Sequence, residues 1–378
     1  VGPISLFDTE GYSVTIAAEV RDFNPEDWMD KKEARRCDRV IRFAAAAADM
    51  ALADSNLDLD SVDKERFGVY VGSGEGGITT THENYAILRD KGPSRVSPFF
   101  IPMMLSNMPA AYIGIRTGAK GPNMAVVTAC ASATNSLGEA YNAIIRDDAD
   151  LALAGGAEAA ITPIAIAGFA TLKALSTRND DPQAASRPFD LDRDGFVMGE
   201  GAGILLLEER EYALRRGARI YAELVGYGLT CDAYHITAPA PDGDGPARAM
   251  RMAMRKAGWS PESVDLINAH GTSTPLNDKM ETRAINSAFG DHARTVRVQS
   301  TKSMVGHTLG AAGAIETIAA LAAVEEGMVH PTINYRTPDP ECQLRISAET
   351  EEARIDRILI NNFGFGGHNA VLALQRHE

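Results

Sequence analysis

Three residues sit where an apolar run gives way to small polar residues, and each is of a type that does chemistry. Cys130, in "AVVTACASATNSLGEA", ends a short strand-like run and opens an Ala-rich helical one. The thiolate is the nucleophilic form of cysteine, and the unpaired N–H groups at a helix start favour that anion. On these residues alone Cys130 reads equally well as a buried structural thiol, since cysteine is among the most buried residue types. His270, in "INAHGTSTPLND", and His307, in "STKSMVGHTLGAAGA", stand at the same kind of junction. Either one alone reads as an ordinary hydrogen-bonded histidine. Two of them, flanked by glycine and hydroxyl residues, point to one crevice beyond the carboxyl ends of strands. A Cys/His/His zinc site is the rival constellation, but it lacks a further ligand and the short spacing of a closed site. Lys302 and Glu316 flank His307 in sequence, either as a buried pair fixing its turn or as a surface ion pair worth little.

These residues need a scaffold, and its pattern is α/β: strand-like runs alternate with Ala-rich helical ones. The spacing predicts strands at 66–74, 123–129, 149–156, 202–209, 221–228, 265–271, 296–301, 357–364 and 370–375. It predicts helices over 32–55, 131–147, 245–257, 276–289 and 311–326. The plan of strand, small-residue turn and crowded helix occurs around both Cys130 and His307, which suggests an internal duplication. The charged stretch "EEREYALRRGAR" separates the halves, residues 1–216 with the cysteine and 217–378 with both histidines. The polar stretch 176–201 is too long for an ordinary connection, and such loops are often functional.

Other motifs carry weaker signals. "VYVGSGEGGITT" follows a strand as a dinucleotide loop would, but no acidic residue closes a βαβ unit after it. "NNFGFGGHNAVLAL" runs into another strand, so its tight turn is better suited to pointing N–H groups at an oxyanion. "DLDRDG" imitates the start of a calcium loop, but Gly201 stands where the twelfth-position carboxylate belongs.

The chain has 378 residues, 45% of them hydrophobic, and a net charge of −14. That charge argues against nucleic acid as a general partner. No apolar run is long enough for a membrane span, and the first residues lack the basic start and apolar stretch of a signal peptide. The four cysteines form no CxxC pair, so a reducing, cytoplasmic setting is expected. One basic cluster stands out: Lys32, Arg35, Arg36 and Arg39 recur at helical spacing, as a solvated face or as a docking patch for an acidic partner.

Taken in order, "TACAS", "NAHGTSTPLND", "STKSMVGHTLGAAGAIE" and "NNFGFGGHN" make the chain resemble the β-ketoacyl-[acyl carrier protein] synthases, in particular the synthase II group of type II fatty acid synthesis. The resemblance runs through essentially the whole chain. It implies a thiolase-like fold, two similar βα halves stacked as a five-layered αβαβα sandwich, and a homodimer. It implies that Cys130 carries an acyl group and that His270 and His307 hydrogen-bond a malonyl thioester as it decarboxylates. Lys302 and Glu316 would hold the second histidine's loop, and the N–H groups of Cys130 and Phe365 would form an oxyanion hole. Thr272 and Thr274 match positions that contact the phosphopantetheine arm, and Phe365 matches the gate over the acyl pocket. Lys32, Arg35, Arg36 and Lys173 match the docking surface for acyl carrier protein. No cofactor is implied beyond the phosphopantetheine that substrates carry, although some relatives bind a monovalent cation near Asn268, Glu316 and Asn361.

Two departures from the family pattern appear. The opening strand, turn and helix are absent before "VGPISLFDTEG", which would leave an edge or gap in the first sheet. Glu75, in "GSGEGG", replaces an apolar residue near the far end of the acyl pocket, where a carboxylate must be paired, hydrated or protonated. A polyketide ketosynthase would carry the same residues. An inactive chain-length-factor-like subunit would usually lack the cysteine. A degradative thiolase would need a second cysteine near the C-terminus, and none follows Cys342.

Overall fold

The computed structural model describes residues 1–378, and two sheets organise it. The first contains β1 (Phe67–Gly72), β2 (Asn123–Met124), β3 (Leu151–Glu158) and β4 (Gly201–Glu208), in the order β2-β1-β3-β4. The second contains β5 (Glu223–Cys231), β6 (Leu266–Asn268), β7 (Arg297–Gln299), β8 (Arg345–Ile346), β9 (Arg357–Gly364) and β10 (His368–Gln375), in the order β8-β7-β6-β9-β10-β5. Pairing senses repeat: β2-β1-β3 and β7-β6-β9 are parallel, and β4 and β10 each close their set antiparallel. The second sheet adds β5 outside β10, whereas β4 is an edge of the first sheet.

Side-chain alternation explains the layers, because successive residues of a strand face opposite sides of the sheet. Val69 and Val71 join a core with helices α1 (Arg39–Ser55) and α3 (Met108–Thr117), whereas Tyr70 faces the other way. Tyr70 meets the central layer, formed by α4 (Ser132–Ile145) and α7 (Ala312–Glu326). Ile358 and Ile360 enter that central layer from the second sheet. Leu359 turns outward to α5 (Asp244–Ala257) and α6 (Pro275–Phe289). The order is therefore helix, sheet, helix, sheet, helix: the five-layered thiolase-like sandwich.

The central helices are rich in Ala and Gly because both sheets press on them. A Cβ at Gly313 of α7 would stand 1.9 Å from Thr134 Oγ of α4, and one at Gly138 would stand 2.5 Å from the Tyr227 ring. Helices α2 (Ile78–Lys91) and α3 and the short helices Phe100–Met104, Pro163–Thr171 and Arg210–Arg215 arise where no helix was expected. No helix is long and apolar enough to cross a membrane.

Two expectations are corrected here. Residues 32–55 are not one helix. A short helix, Lys31–Ala34, ends before Cys37, and α1 starts anew after Asp38, whose carboxylate caps it by accepting from Val40 N. Asp38 also accepts from Thr80 N and Oγ, so this break is tied to α2. Arg39 consequently leaves the basic face and pairs inside the protein with Glu200 at 2.6–2.8 Å. The predicted strand 123–129 is the second correction: it ends at Met124, and the chain then runs irregularly to Cys130.

Candidate active site

Cys130, His270 and His307 line one cavity of about 520 Å³, with Thr272, Thr274, Phe365, Lys173 and Glu75 also in its walls. The turn that presents Cys130 is held from several sides. Ala129 adopts φ 51°, a left-handed conformation costly for a residue with a Cβ. Ser132 Oγ donates to Ala129 O at 2.7 Å and accepts from Thr128 N. Asn135 donates to Thr128 Oγ at 2.6 Å and is itself fixed by the Tyr227 hydroxyl. Packing leaves no slack: a Cβ at Gly72 would fall 2.6 Å from the Ser132 carbonyl, and one at Gly364 would fall 2.5 Å from Thr128 O. Gly364 thus brings the Phe365 turn against the Cys130 main chain. The N–H groups of Cys130 and Phe365 make no hydrogen bond within the chain, so both remain available to an oxyanion.

Desolvation opposes the helix start at the Cys130 thiol. Burial pushes the Cys130 thiol up to about 12, with Glu158 and Glu75 adding to the rise and Lys302 opposing it. Desolvation of the anion outweighs one helix terminus, so the resting residue is a neutral thiol.

His270 follows β6 on a turn held by Glu281 of α6, which accepts from His270 N at 2.9 Å and Gly271 N at 2.8 Å. Its Nδ1 lies 3.3 Å from the Lys302 ammonium. An ammonium has donors only, so Nδ1 must accept and Nε2 carries the ring proton. Lys302 also bonds Glu316 Oε1, and both partners are buried, which excludes the surface-pair reading. Asn362 donates to the other Glu316 oxygen at 2.7 Å.

His307 is placed by the 176–201 loop: its N–H donates to Val197 O and its carbonyl accepts from Gly199 N, both at 2.8 Å. Its ring stands at 5.4 Å and 88° to that of His270, and neither of its nitrogens has a partner in the chain. Burial, reinforced by the Lys302 charge, holds both histidines well below the usual imidazole range, so both are neutral. Thr272 and Thr274 bond each other at 2.9 Å on the wall, and Phe365 is 37% exposed at its edge, near Phe169. Lys32, Arg35 and Arg36 are exposed on the short first helix and its end, and Lys173 is exposed at the cavity mouth.

The cation expectation does not fit as a three-side-chain site. Asn268 points toward α7, donating to Thr301 Oγ and Glu316 O, whereas Asn361 points to the opposite layer and donates to Glu281. The Glu316 carboxylate is already taken by Lys302 and Asn362. Each asparagine buries an oxygen without a partner, but the two lie on different faces of the sheet.

The nucleotide and calcium readings of the loops fail for a related reason. Gly74 and Glu75 N–H groups donate inward to Glu158, and Asp190 accepts from Asp192, Arg336 and Thr337 N–H groups.

Sequence reasoning missed Glu158 and Glu281. Glu158 ends β3 and accepts from Ser73 Oγ, Gly74 N, Glu75 N and Gly310 N at 2.7–3.1 Å. It ties the loop after β1 to the turn after His307. The visible signal was a lone carboxylate ending the apolar run "LALAGGAE".

Comparison with known proteins agrees with this geometry. The model of the beta-ketoacyl synthase N-terminal domain matches residues 6–213, and that of the C-terminal domain matches residues 221–336. The chain is 52% identical over its whole length to 3-oxoacyl-[acyl-carrier-protein] synthase 2 of Synechocystis sp., covering 91% of that protein. It is 53% identical to the protein of the same name from Staphylococcus aureus, again over its whole length and 91% of the relative. Among solved structures, a type II polyketide ketosynthase in complex with its acyl-carrier protein and bound to a hexaketide superposes with a TM-score of 0.91 at 36% identity, covering 99% of this chain and 92% of that one. A beta-ketoacyl synthase from Burkholderia phymatum superposes with a TM-score of 0.90 at 37% identity, covering 97% of this chain and 90% of that one.

Proposed function

The chain belongs to the beta-ketoacyl synthase family, and on that footing we propose that Cys130, His270 and His307 carry its condensing reaction. The enzyme is a 3-oxoacyl-[acyl-carrier-protein] synthase of fatty acid elongation, and acyl carrier protein is its partner. The observation that carries the assignment of roles is the convergence of these three residues in one cavity, with Lys302 fixing which nitrogen of His270 bears the proton.

Cys130 Sγ attacks the thioester carbonyl of an acyl-carrier protein. A C–S bond forms, the pantetheine C–S bond breaks, and the thiol proton leaves with the carrier's thiol. The N–H groups of Cys130 and Phe365 hold the oxyanion. Malonyl-carrier protein then enters along Thr272 and Thr274. As it loses carbon dioxide, charge develops on its thioester oxygen, where His270 Nε2–H and the neutral His307 ring donate. The enolate carbon attacks the acyl-enzyme, and collapse expels the Cys130 thiolate, which takes a proton to restore the thiol.

Lys32, Arg35, Arg36 and Lys173 are the exposed cations we assign to carrier docking. A homodimer is the companion proposal: β2 is a sheet edge, and Met124, Val127, Ile101 and Tyr85 expose apolar surface on that half. Sedimentation equilibrium tests it. A cytoplasmic location goes with this reading.

Intact mass after incubation with octanoyl-carrier protein tests the central assignment. One acyl adduct that maps to Cys130 and disappears in Cys130→Ser is expected. An adduct on Cys37, Cys231 or Cys342, or none, overturns it.

A further inference from the structure

Glu75 has no role in the condensing chemistry, yet it lines the cavity that Cys130 opens onto. Its main-chain N–H donates to Glu158, but its own carboxyl is left out: Oε2 is buried and has no hydrogen-bond partner. The neighbouring Glu158 takes Ser73 Oγ and the N–H groups of Gly74, Glu75 and Gly310. Two carboxyl groups thus share one set of donors, and all of the donors serve one of them. Burial raises the Glu158 carboxyl too, but its four donors oppose that rise, so of the two it is the one supplied to carry charge.

No cation faces Glu75 to compensate. Across the cavity stand the Cys130 thiol and the neutral His270 and His307. Lys302 lies behind them, committed to Glu316 and His270, and Lys173 is exposed at the mouth. The remaining wall mixes apolar side chains, among them Phe169, Phe196 and Leu309, with polar ones, including the Asp232 carboxylate, which adds no positive charge. In the open cavity only the other carboxyl oxygen of Glu75 is open to water. An acyl chain filling the cavity displaces that water and sets methylene groups against the carboxyl, a contact that the neutral acid tolerates and the anion does not.

Resting on the acyl-carrying role of Cys130, we propose that Glu75 is a chain-selecting residue that couples entry of a long apolar acyl chain to uptake of one proton from solvent. A short chain that stops before Glu75 leaves it hydrated and takes up none. Burial, and then the charge on Glu158, already push the Glu75 carboxyl up to about 7. A form excluded when ionised would therefore fall from about nine-tenths to about one-tenth of the protein between pH 6 and pH 8. Long-chain acceptance declines as pH rises across that window, and the enzyme's chain preference shifts toward shorter chains.

The test measures initial rates of Cys130 acylation by intact mass, using carrier protein loaded with butanoyl or tetradecanoyl groups, from pH 6 to pH 8. The ratio of long-chain to short-chain rate cancels the pH dependence of the thiol and of carrier docking. The expected ratio drops about tenfold across this range in the natural protein and is flat in both Glu75→Gln and Glu75→Leu. Calorimetry of tetradecanoyl transfer at pH 8, in buffers of different ionisation enthalpy, is expected to show uptake of about one proton, absent in Glu75→Gln. A flat ratio in the natural protein, or the same slope in Glu75→Gln, overturns the role of Glu75 while leaving the condensing enzyme intact. Failure of both chains to acylate Cys130 at every pH overturns the acyl-carrying role and this coupling together.

Discussion

Removing the Lys302 ammonium should expose how the centre is held together. Lys302 and Glu316 are each 1% exposed and bonded to one another, with Asn362 as the other donor to Glu316 and His270 as the other neighbour of Lys302. In Lys302→Met, Glu316 keeps its place in the dry central layer without a counter-charge. Its cheapest course is to take a proton, so the cost at pH 7 is capped near that of neutralising an ordinary carboxyl there. That is about 2.7 pK units at 1.36 kcal/mol each, or about 3.7 kcal/mol, within the range of about 3–5 kcal/mol for breaking buried pairs. Burial already raises the Glu316 pKa in the natural protein, against the pull of Lys302. In the variant the native state retains a proton that the unfolded chain releases above about pH 4.3, so stability falls as pH rises, by about 1.4 kcal/mol per unit. Urea unfolding at pH 6 and pH 8 reads both quantities. Glu316→Gln should destabilise comparably by stranding the ammonium, and the double variant Lys302→Met/Glu316→Gln should recover most of the loss, giving a strong coupling energy. Single losses below about 1 kcal/mol, additive and independent of pH, would refute the buried-pair reasoning.

Three further outcomes follow from the same geometry. Alkylation of Cys130 by iodoacetamide should accelerate about tenfold per pH unit from pH 7 to pH 9 without levelling, because burial holds the thiol up at about 12; a plateau below pH 8 would contradict it. His270 and His307 are held neutral, so protons bind only the unfolded chain as pH falls below about 6.5, and their contribution to stability is present above that value and lost below it. Melting temperature should drop from pH 7.5 to pH 5.5, and drop less in His307→Gln. Gly310→Ala would place a Cβ 2.3 Å from Gly74 N and 2.6 Å from Glu158 Oε2, so prising this contact open should cost about 2–3 kcal/mol; an unchanged melting curve would contradict the packing.

What the sequence by itself determined is what short-range pattern governs. The apolar runs of β3, β9 and β10 and the helices α4 to α7 are legible within one or two residues at most ends, because burial periodicity and turn residues lie within the segment itself. The turns carrying Cys130, His270 and His307 were visible for the same reason. Even the break before α1 had a local sign, since Asp38 is a residue type that caps helices. Tertiary structure decided everything set by distant neighbours. Arg39 left the basic face for Glu200, 161 residues away. Asn362 reached Glu316 while Asn361 faced the other layer, a choice made by which helix pair covers each side of the sheet. Glu158 drew its donors from the 73–75 loop and from Gly310, far apart in the chain. The charge states of the site belong here too. A helix start is a local feature that argues for a thiolate, but the water excluded by five packed layers argues more strongly for a neutral thiol, neutral histidines and a carboxyl at Glu75 poised near neutrality. Desolvation is summed over every atom that surrounds a group, and only the folded chain assembles that surrounding.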